Sequence, residues 1–353
     1  MKNQKQISLI VLDWYDNEAR SLPWRIEPHH SKTGVLADPY KVWLSEIMLQ
    51  QTTVKAVIPY YEKFVARWPN INSLSLASDQ DVMEAWAGLG YYTRARNLVK
   101  CARVIVSQYN SVFPTDEKSL LALPGIGPYT ASAIRSIAFD KKATVIDGNI
   151  NRFILRFYAI LTPISKSKKL IKSLAEGLTP QNRSGDYAQA LMDIGSTICI
   201  AKCPRCQKCP IKAKCLSHKK DITQKIPCPE NKQIKPTRYG YAYIIFSKEE
   251  SFLLVRRPNH GLLGGMLGYP TSDWTIKKPT SFNPPLETNW TIHKETIKHT
   301  FSHFNLELKL VSGFSDYVPK GYLKKHFKTY NKLLLPSLMR KIFEFMIKTG
   351  SKN

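Results

Sequence analysis

The chain contains no uncharged apolar run approaching the roughly 18–20 residues that a membrane-spanning helix needs. Its start, Met-Lys-Asn-Gln-Lys-Gln, has neither the apolar core nor the small-residue cleavage site of a secretory signal. There is no internal repeat and no low-complexity run. These absences argue against membrane, secreted and solenoid classes, and the expectation is a cytoplasmic protein. Acid is also scarce: 27 Asp and Glu face 52 Lys and Arg, a net charge of +25. The excess is uneven. Residues 1–150 hold 17 basic against 14 acidic side chains, residues 151–222 hold 14 against 4, and residues 223–353 hold 21 against 9. Such a field favours a polyanion and gives salt-sensitive, sequence-independent attraction to phosphates. A solubilising lysine-rich surface is the plainer account of the same charge.

At 353 residues the chain can bury two cores. Segments 43–51, 60–68, 81–88, 91–109 and 187–198 carry apolar residues at helical period, broken by Pro, Gly and Asn. Ser78-Asp-Gln-Asp offers an N-cap. After Cys215 the character changes. Residues 217–238 are polar and basic with three prolines, as a linker is. Beyond them, 239–246 and 251–255 read as paired strands around Ser-Lys-Glu-Glu, 300–311 as a further alternating segment, and 337–347 as a closing helix. The pattern predicts an all-α domain over 1–222, a linker at 223–237 and an α+β domain over 238–353.

Seven cysteines in a cytosolic chain are ligands or free thiols more often than disulfides. Four read C-x6-C-x2-C-x5-C: Cys199, Cys206, Cys209 and Cys215. This loop, 199–215, suits a [4Fe–4S] cluster, and C-x2-C also suits structural zinc. Cys203 falls inside the first spacer and forms its own C-x2-C with Cys206; Cys101 and Cys228 stand alone.

Leu123-Pro-Gly-Ile-Gly-Pro-Tyr-Thr-Ala131 sits between two helical segments, within about residues 115–137. Gly125 and Gly127 permit a tight hairpin whose amides, at a helix start, can bind a phosphate oxygen. An ordinary inter-helix turn is the alternative. Asp147, after an apolar run and before Gly148-Asn149, is placed for a helix start, where the dipole favours its ionised form. Glu46 is flanked by Trp43, Leu44, Ile47, Met48 and Leu49. Burial there raises a carboxyl pKa, so that Glu46 can stay protonated near neutrality. One neutral and one charged acid suit cleavage of a glycosidic bond. A buried Glu paired with an arginine is the competing account.

At this density the residues carry a resemblance. Leu22-Pro-Trp-Arg25, Pro39-Tyr-Lys-Val-Trp-Leu-Ser-Glu-Ile-Met-Leu-Gln-Gln-Thr52, Gly88-Leu-Gly-Tyr-Tyr-Thr-Arg-Ala-Arg-Asn97, the hairpin, Val145-Ile-Asp-Gly-Asn149 and the four cysteines belong to the first part. Arg256 through Pro270, Phe301-Ser-His303 and Leu335 through Arg340 belong to the second. Together they resemble the MutY-type adenine DNA glycosylases of the endonuclease III, helix-hairpin-helix superfamily. The resemblance implies a multi-domain protein: a helical glycosylase domain with a [4Fe–4S] loop, then a Nudix-like domain that reads 8-oxoguanine. It implies a monomer in the bacterial cytosol or nucleoid, acting on duplex DNA with adenine opposite 8-oxoguanine or guanine. It implies Glu46 as the acid at adenine N7 and Asp147 as the acid that stabilises the cationic sugar and assists water. Tyr129 and Asn149 would line that pocket, and Arg25 and Gln189 would border the adenine edge. Gln51 and Tyr91 would wedge into the base stack. The cluster ligands would be Cys199, Cys206, Cys209 and Cys215, without Cys203. The segment between Arg25 and Pro39 is longer than in the short family versions.

Two other enzymes fit parts of the pattern. A bifunctional endonuclease III-like glycosylase and lyase, acting on oxidised pyrimidines, needs an amine nucleophile. Its position, two after the second hairpin glycine, holds Tyr129, and residues 128–137 contain no lysine. A Nudix hydrolase needs a carboxylate-rich helix for magnesium. Here the acids that follow residue 268 are scattered, Asp273, Glu287 and Glu295 first, with no Arg-Glu-x-x-Glu-Glu run.

Overall fold

The computed structural model describes residues 2–230, 234–258, 261–280 and 282–350. Two compact units emerge. One is Met1–Ala85 with Arg94–Asn231, the other Trp86–Thr93 with Lys232–Asn353. The chain stays in the first unit past the expected exit at residue 223. The reason is Ile226, which is buried in the first unit's core and whose carbonyl accepts a hydrogen bond from Arg156 Nε at 2.8 Å.

The first unit is helical throughout its described residues. Helix Pro39–Leu49 begins where Asp38 accepts from the Tyr40 amide and where Pro39 supplies a ready-made first-turn φ. Tyr40, Val42, Trp43, Leu44, Ser45, Glu46, Ile47 and Met48 are all buried on it. The helix is therefore enclosed on nearly every side, and Glu46 is desolvated by its neighbours. Helices Val54–Arg67 and Thr93–Gln108 supply further buried side chains, Val57 and Phe64 on one and Leu98 and Ile105 on the other. Ser78 accepts from the Asp81 amide at 3.0 Å, the N-cap expected for the helix Asp79–Ala85. A second group of helices shares one core: Lys2–Glu18, Gly148–Phe157, Ile164–Leu178 and Ser184–Asp193. Val11, Tyr15, Ile154, Leu155, Ala190 and Ile194 lie at its centre, each fully buried.

Two helices widen at their ends into π turns: Pro128–Ala133 into Ile134–Ala138, and Ser184–Asp193 into Ile194–Ile198. Such turns cost hydrogen-bond geometry and recur at functional sites. Gly195, in the second, lets its backbone reach Asn149; a Cβ there would stand 2.5 Å from Asn149 Cβ.

The second unit is a six-stranded sheet in the order β3-β2-β1-β5-β4, with β6 also on β2. The strands are β1 (Thr237–Ser247), β2 (Ser251–Arg256), β3 (Leu267–Gly268), β4 (Thr291–Thr300), β5 (Asn305–Phe314) and β6 (Tyr322–His326). β1 pairs with β5 in parallel, from Thr237 opposite Asn305 to Phe246 opposite Phe314, and antiparallel with β2. Helix Ser337–Gly350 buries Leu338, Met339, Ile342 and Met346 against Ala242, Ile244, Leu254, Leu306 and Leu308. The alternating segment expected at 300–311 is two elements. β4 ends at Thr300, and a turn held by Phe301 N donating to Phe304 O separates it from β5.

Candidate active site

Seven of the expected residues line a single cavity of about 570 Å³ in the first unit: Arg25, Glu46, Gln51, Tyr129, Asp147, Asn149 and Gln189. Arg20, Trp24, Gln50, Ile146 and Met192 complete much of the wall. Helix Pro39–Leu49 delivers Glu46, the helix after the hairpin delivers Tyr129, the start of Gly148–Phe157 delivers Asp147 and Asn149, and Ser184–Asp193 delivers Gln189.

Glu46 is 5% exposed. The Tyr129 hydroxyl donates to its Oε2 at 2.7 Å. Burial pushes the carboxyl up to about 7, against the lowering effect of the Tyr129 bond; Asp147 raises it further and Arg25 lowers it. The expectation of a carboxyl protonated near neutrality rests on the same cause that acts here. Tyr129 is itself raised well above the ordinary phenol range by burial, then by Glu46, so it is a neutral donor.

Asp147 caps the helix Gly148–Phe157. Oδ1 accepts from the Ile150 amide at 2.7 Å and Oδ2 from Asn149 Nδ2 at 2.9 Å. These bonds favour the charged form, yet burial outweighs them and the carboxyl is held above its ordinary value. The helix start alone predicted the opposite sign; enclosure by the cavity wall decides it. Arg152 then ties the cap to the cysteine loop. Its Nη2 donates to Asn149 Oδ1 at 2.9 Å and its Nε to the Cys199 carbonyl at 2.7 Å.

Arg25 is already held by a carboxylate. Arg25 Nη1 and Nη2 donate to Asp193 at 2.6 and 2.9 Å, and the Asp193 side chain is fully buried. Gln189 is 6% exposed, four residues before Asp193 on the same helix.

The hairpin forms where expected. Glu117–Ala122 is capped by Asp116, and Pro128–Ala133 starts at Gly127. Gly125 has φ +80°, and a Cβ there would stand 2.8 Å from Asn97 Cβ, so the position requires glycine. A Cβ at Gly127 would meet open space. Gln51 and Tyr91 are both left-handed, at φ 58° and 47°, and Tyr91 is 54% exposed. Strain of this kind at non-glycine residues gathers at ligand clamps. In the second unit Ser302 and His303 are exposed at the tip of the β4–β5 turn. Phe301 anchors that turn against Trp274 and Phe304, at centroid distances of 5.7 and 5.0 Å.

Cys199, Cys209 and Cys215 pack against the first unit's core. Burial pushes the Cys209 thiol up to about 12, with Cys199, Cys215 and Cys206 adding to the rise. Cys215 acts in the same way on Cys199. Cys203 is exposed at φ 50° and is not among the groups acting on Cys209 or Cys199. Arg156, 1% exposed, donates to the Cys199 carbonyl and Sγ and to the carbonyls of Ile200 and Ala201. Sequence reasoning missed Arg20, Arg152, Arg156 and Asp193, which belong to no motif; only their partners identify them.

Residues 44–181 match the model of the HhH-GPD superfamily base excision DNA repair proteins, and residues 241–345 match that of the NUDIX domain. An adenine DNA glycosylase of Buchnera aphidicola subsp. Baizongia pistaciae is 37% identical over 301 residues, covering 84% of this chain and 82% of that one. That of Buchnera aphidicola subsp. Acyrthosiphon pisum is 34% identical over 354 residues, with 96% of each chain covered. Among solved structures, a thermostable thymine-DNA glycosylase aligns with a TM-score of 0.54 at 31% identity. It covers 62% of this chain and 98% of that one.

Proposed function

This chain belongs to the adenine DNA glycosylase family, and from that premise we propose that it hydrolyses the N-glycosidic bond of adenine paired with 8-oxoguanine or guanine in duplex DNA. The observation that carries the reading is the Tyr129 hydroxyl bonded to Glu46 at 2.7 Å in a cavity that also holds Asp147. Adenine leaves poorly as an anion, so its nitrogen must be protonated as the bond breaks. Glu46, buried and raised to about 7, keeps a proton for N7 where an exposed glutamate would have lost it. The C1′–N9 bond then breaks with its electron pair going to the base, and positive charge develops on the sugar. Asp147, its second oxygen steadied by Asn149, stabilises that charge and takes the proton of the water that adds at C1′. Among the described residues lining the cavity there is no lysine, and a phenol at position 129 cannot form an imine. This supports a monofunctional enzyme.

The flipped base needs an edge reader, and Arg25 and Gln189 border the space. Amides around Gly125 and Gly127 suit a backbone phosphate, and Gln51 and Tyr91 suit intrusion into the stack. Ser302 and His303 suit the base opposite. Cys199, Cys206, Cys209 and Cys215 fit a [4Fe–4S] cluster as its ligands. Among the described residues no three Cys, His, Asp or Glu side chains are grouped as they would be around one metal ion. Such a cluster supplies a covalent brace for the loop, and the surrounding Arg152 and Arg156 offset its thiolate charge. Lys202, Arg205, Lys208, Lys212 and Lys214 put positive charge on the same loop for DNA.

A single-turnover assay decides the reading. Duplexes carry adenine opposite 8-oxoguanine, adenine opposite guanine, thymine opposite guanine, or thymine glycol. Adenine release from the first two is expected, with the abasic strand intact until alkali is added. Preferential release of thymine or thymine glycol, or efficient borohydride trapping of an enzyme–DNA adduct, would overturn it.

A further inference from the structure

Asp193 is an aspartate that no motif singles out, and it has the densest polar surroundings near the cavity. Its side chain is fully buried. It receives four hydrogen bonds from two arginines: Arg25 Nη1 at 2.6 Å, Arg25 Nη2 at 2.9 Å, Arg20 Nε at 2.6 Å and the Arg20 amide at 3.1 Å. The Arg25 pair is bidentate, the geometry that fixes a guanidinium in both position and plane. Arg25 and Arg20 also line the cavity, whereas Asp193 lies behind them.

The two cations are not equivalent. The Arg20 side chain is 28% exposed, so solvent shares its charge. That of Arg25 is 6% exposed, and its charge must be matched inside the protein. The groups acting on Glu46 are Tyr129, which donates to it, Asp147 and Arg25. Of these only Arg25 is a cation, and a cation favours the ionised carboxyl. A guanidinium lining the same cavity without a counter-ion would draw the proton off Glu46 before the base could take it.

We propose that Asp193 is a positioning residue for the glycosylase reaction: its carboxylate clamps Arg25 to the cavity wall and cancels its charge, so that Glu46 keeps the proton it delivers. The proposal rests on the function proposed above. A purely structural Asp193, tying the helix Ser184–Asp193 to the segment around Arg20, would affect stability alone. Because Asp193 acts on Glu46 only through Arg25, removing both should cancel.

The test follows the pH dependence of adenine release by the holoenzyme in single turnover, and, without DNA, the titration of the Glu46 carboxyl by carbon-13 NMR. Asp193→Asn should lower both midpoints by about one unit or more, slowing release at least about tenfold on the alkaline side. Asp193→Glu should stay near wild type. In Arg25→Gln/Asp193→Asn the Glu46 midpoint should return to the wild-type value or rise above it, even though base recognition suffers. If Asp193→Asn does not fold, Arg20→Gln/Asp193→Asn buries one cation fewer and should show the same fall. Unchanged midpoints in a folded Asp193→Asn protein, or a fall that persists when Arg25 is removed, would overturn the proposal. Absence of adenine release by the wild type at every pH would instead sink the functional reading; the NMR titration would still judge Asp193.

Discussion

Glu46 shows what enclosure does to one carboxyl. A glutamate on an ordinary amphipathic helix titrates near 4.3. On Pro39–Leu49, a helix buried nearly all round, it is pushed up to about 7. The sign of the pH dependence follows. With Glu46 as the proposed donor, activity should be present below its pKa and lost as pH rises through about 7. Asp147 is proposed to act charged, and burial holds its carboxyl above the ordinary value. The acidic limb should therefore lie above the usual aspartate range. Glu46→Gln should abolish the alkaline limb together with cleavage while leaving duplex binding nearly intact, because an amide keeps the size and loses the proton. A gel-shift measurement beside a single-turnover assay checks this. Activity within about tenfold of wild type, roughly 1.4 kcal/mol of barrier, would remove Glu46 from the acid role. Glu46 was legible in sequence because its flanking residues are apolar. Asp193 was not, since its arginine partners stand 168 and 173 residues away.

Helices and the cysteine loop were the readable elements, because each is written in a local period or spacing. The hairpin glycines, the Ser78 cap and the closing helix follow from such patterns. Edge strands were harder. β4 reads Thr-Ile-His-Lys-Glu-Thr-Ile-Lys-His-Thr, exposed along most of its length, so no buried face imposes an alternation. β6 is short and partly exposed for the same reason. Residues 223–226 looked like linker by composition, yet one apolar residue, Ile226, and one long-range bond from Arg156 keep them in the core. Spacing alone also left Cys203 unplaced; it is exposed with a left-handed backbone, whereas Cys199, Cys206, Cys209 and Cys215 are half-buried. Cys203→Ser should thus leave protein that is brown with full iron content. Cys206→Ser should lose colour and iron and weaken DNA binding, since the basic loop around it loses its brace. Metal analysis of anaerobically prepared protein checks this. Zinc without iron would refute the cluster, and bleaching by Cys203→Ser with colour kept in Cys199→Ser would redraw the ligand set.

On the function proposed above, two tasks fall to the two units. The acids and the base-sized cavity belong to the helical unit. The sheet unit matches the NUDIX model, yet its acids after residue 268 are scattered, and the role proposed for it is binding. What it presents is a turn. Phe301 is wedged between Trp274 and Phe304, and Ser302 and His303 are left at the tip. Guanine shows an acceptor at N7 in the major groove. 8-Oxoguanine shows a donor there and a new oxygen at C8. A hydroxyl both accepts and donates, so Ser302 suits either edge, while His303 beside it suits a phosphate or the loop itself. The aromatic anchors are untouched by replacing the two tip residues, so Ser302→Ala/His303→Ala should fold with unchanged melting behaviour. It should lose much of the preference for adenine opposite 8-oxoguanine over adenine opposite guanine. Slow cleavage opposite guanine should persist, because Glu46 and Asp147 remain in place. Rates on the two duplexes, measured side by side in single turnover, give the ratio directly. A ratio equal to wild type would take lesion reading away from this turn. An equal loss on both duplexes in folded protein would mean that the second unit serves binding in general, and the separation of tasks would fail.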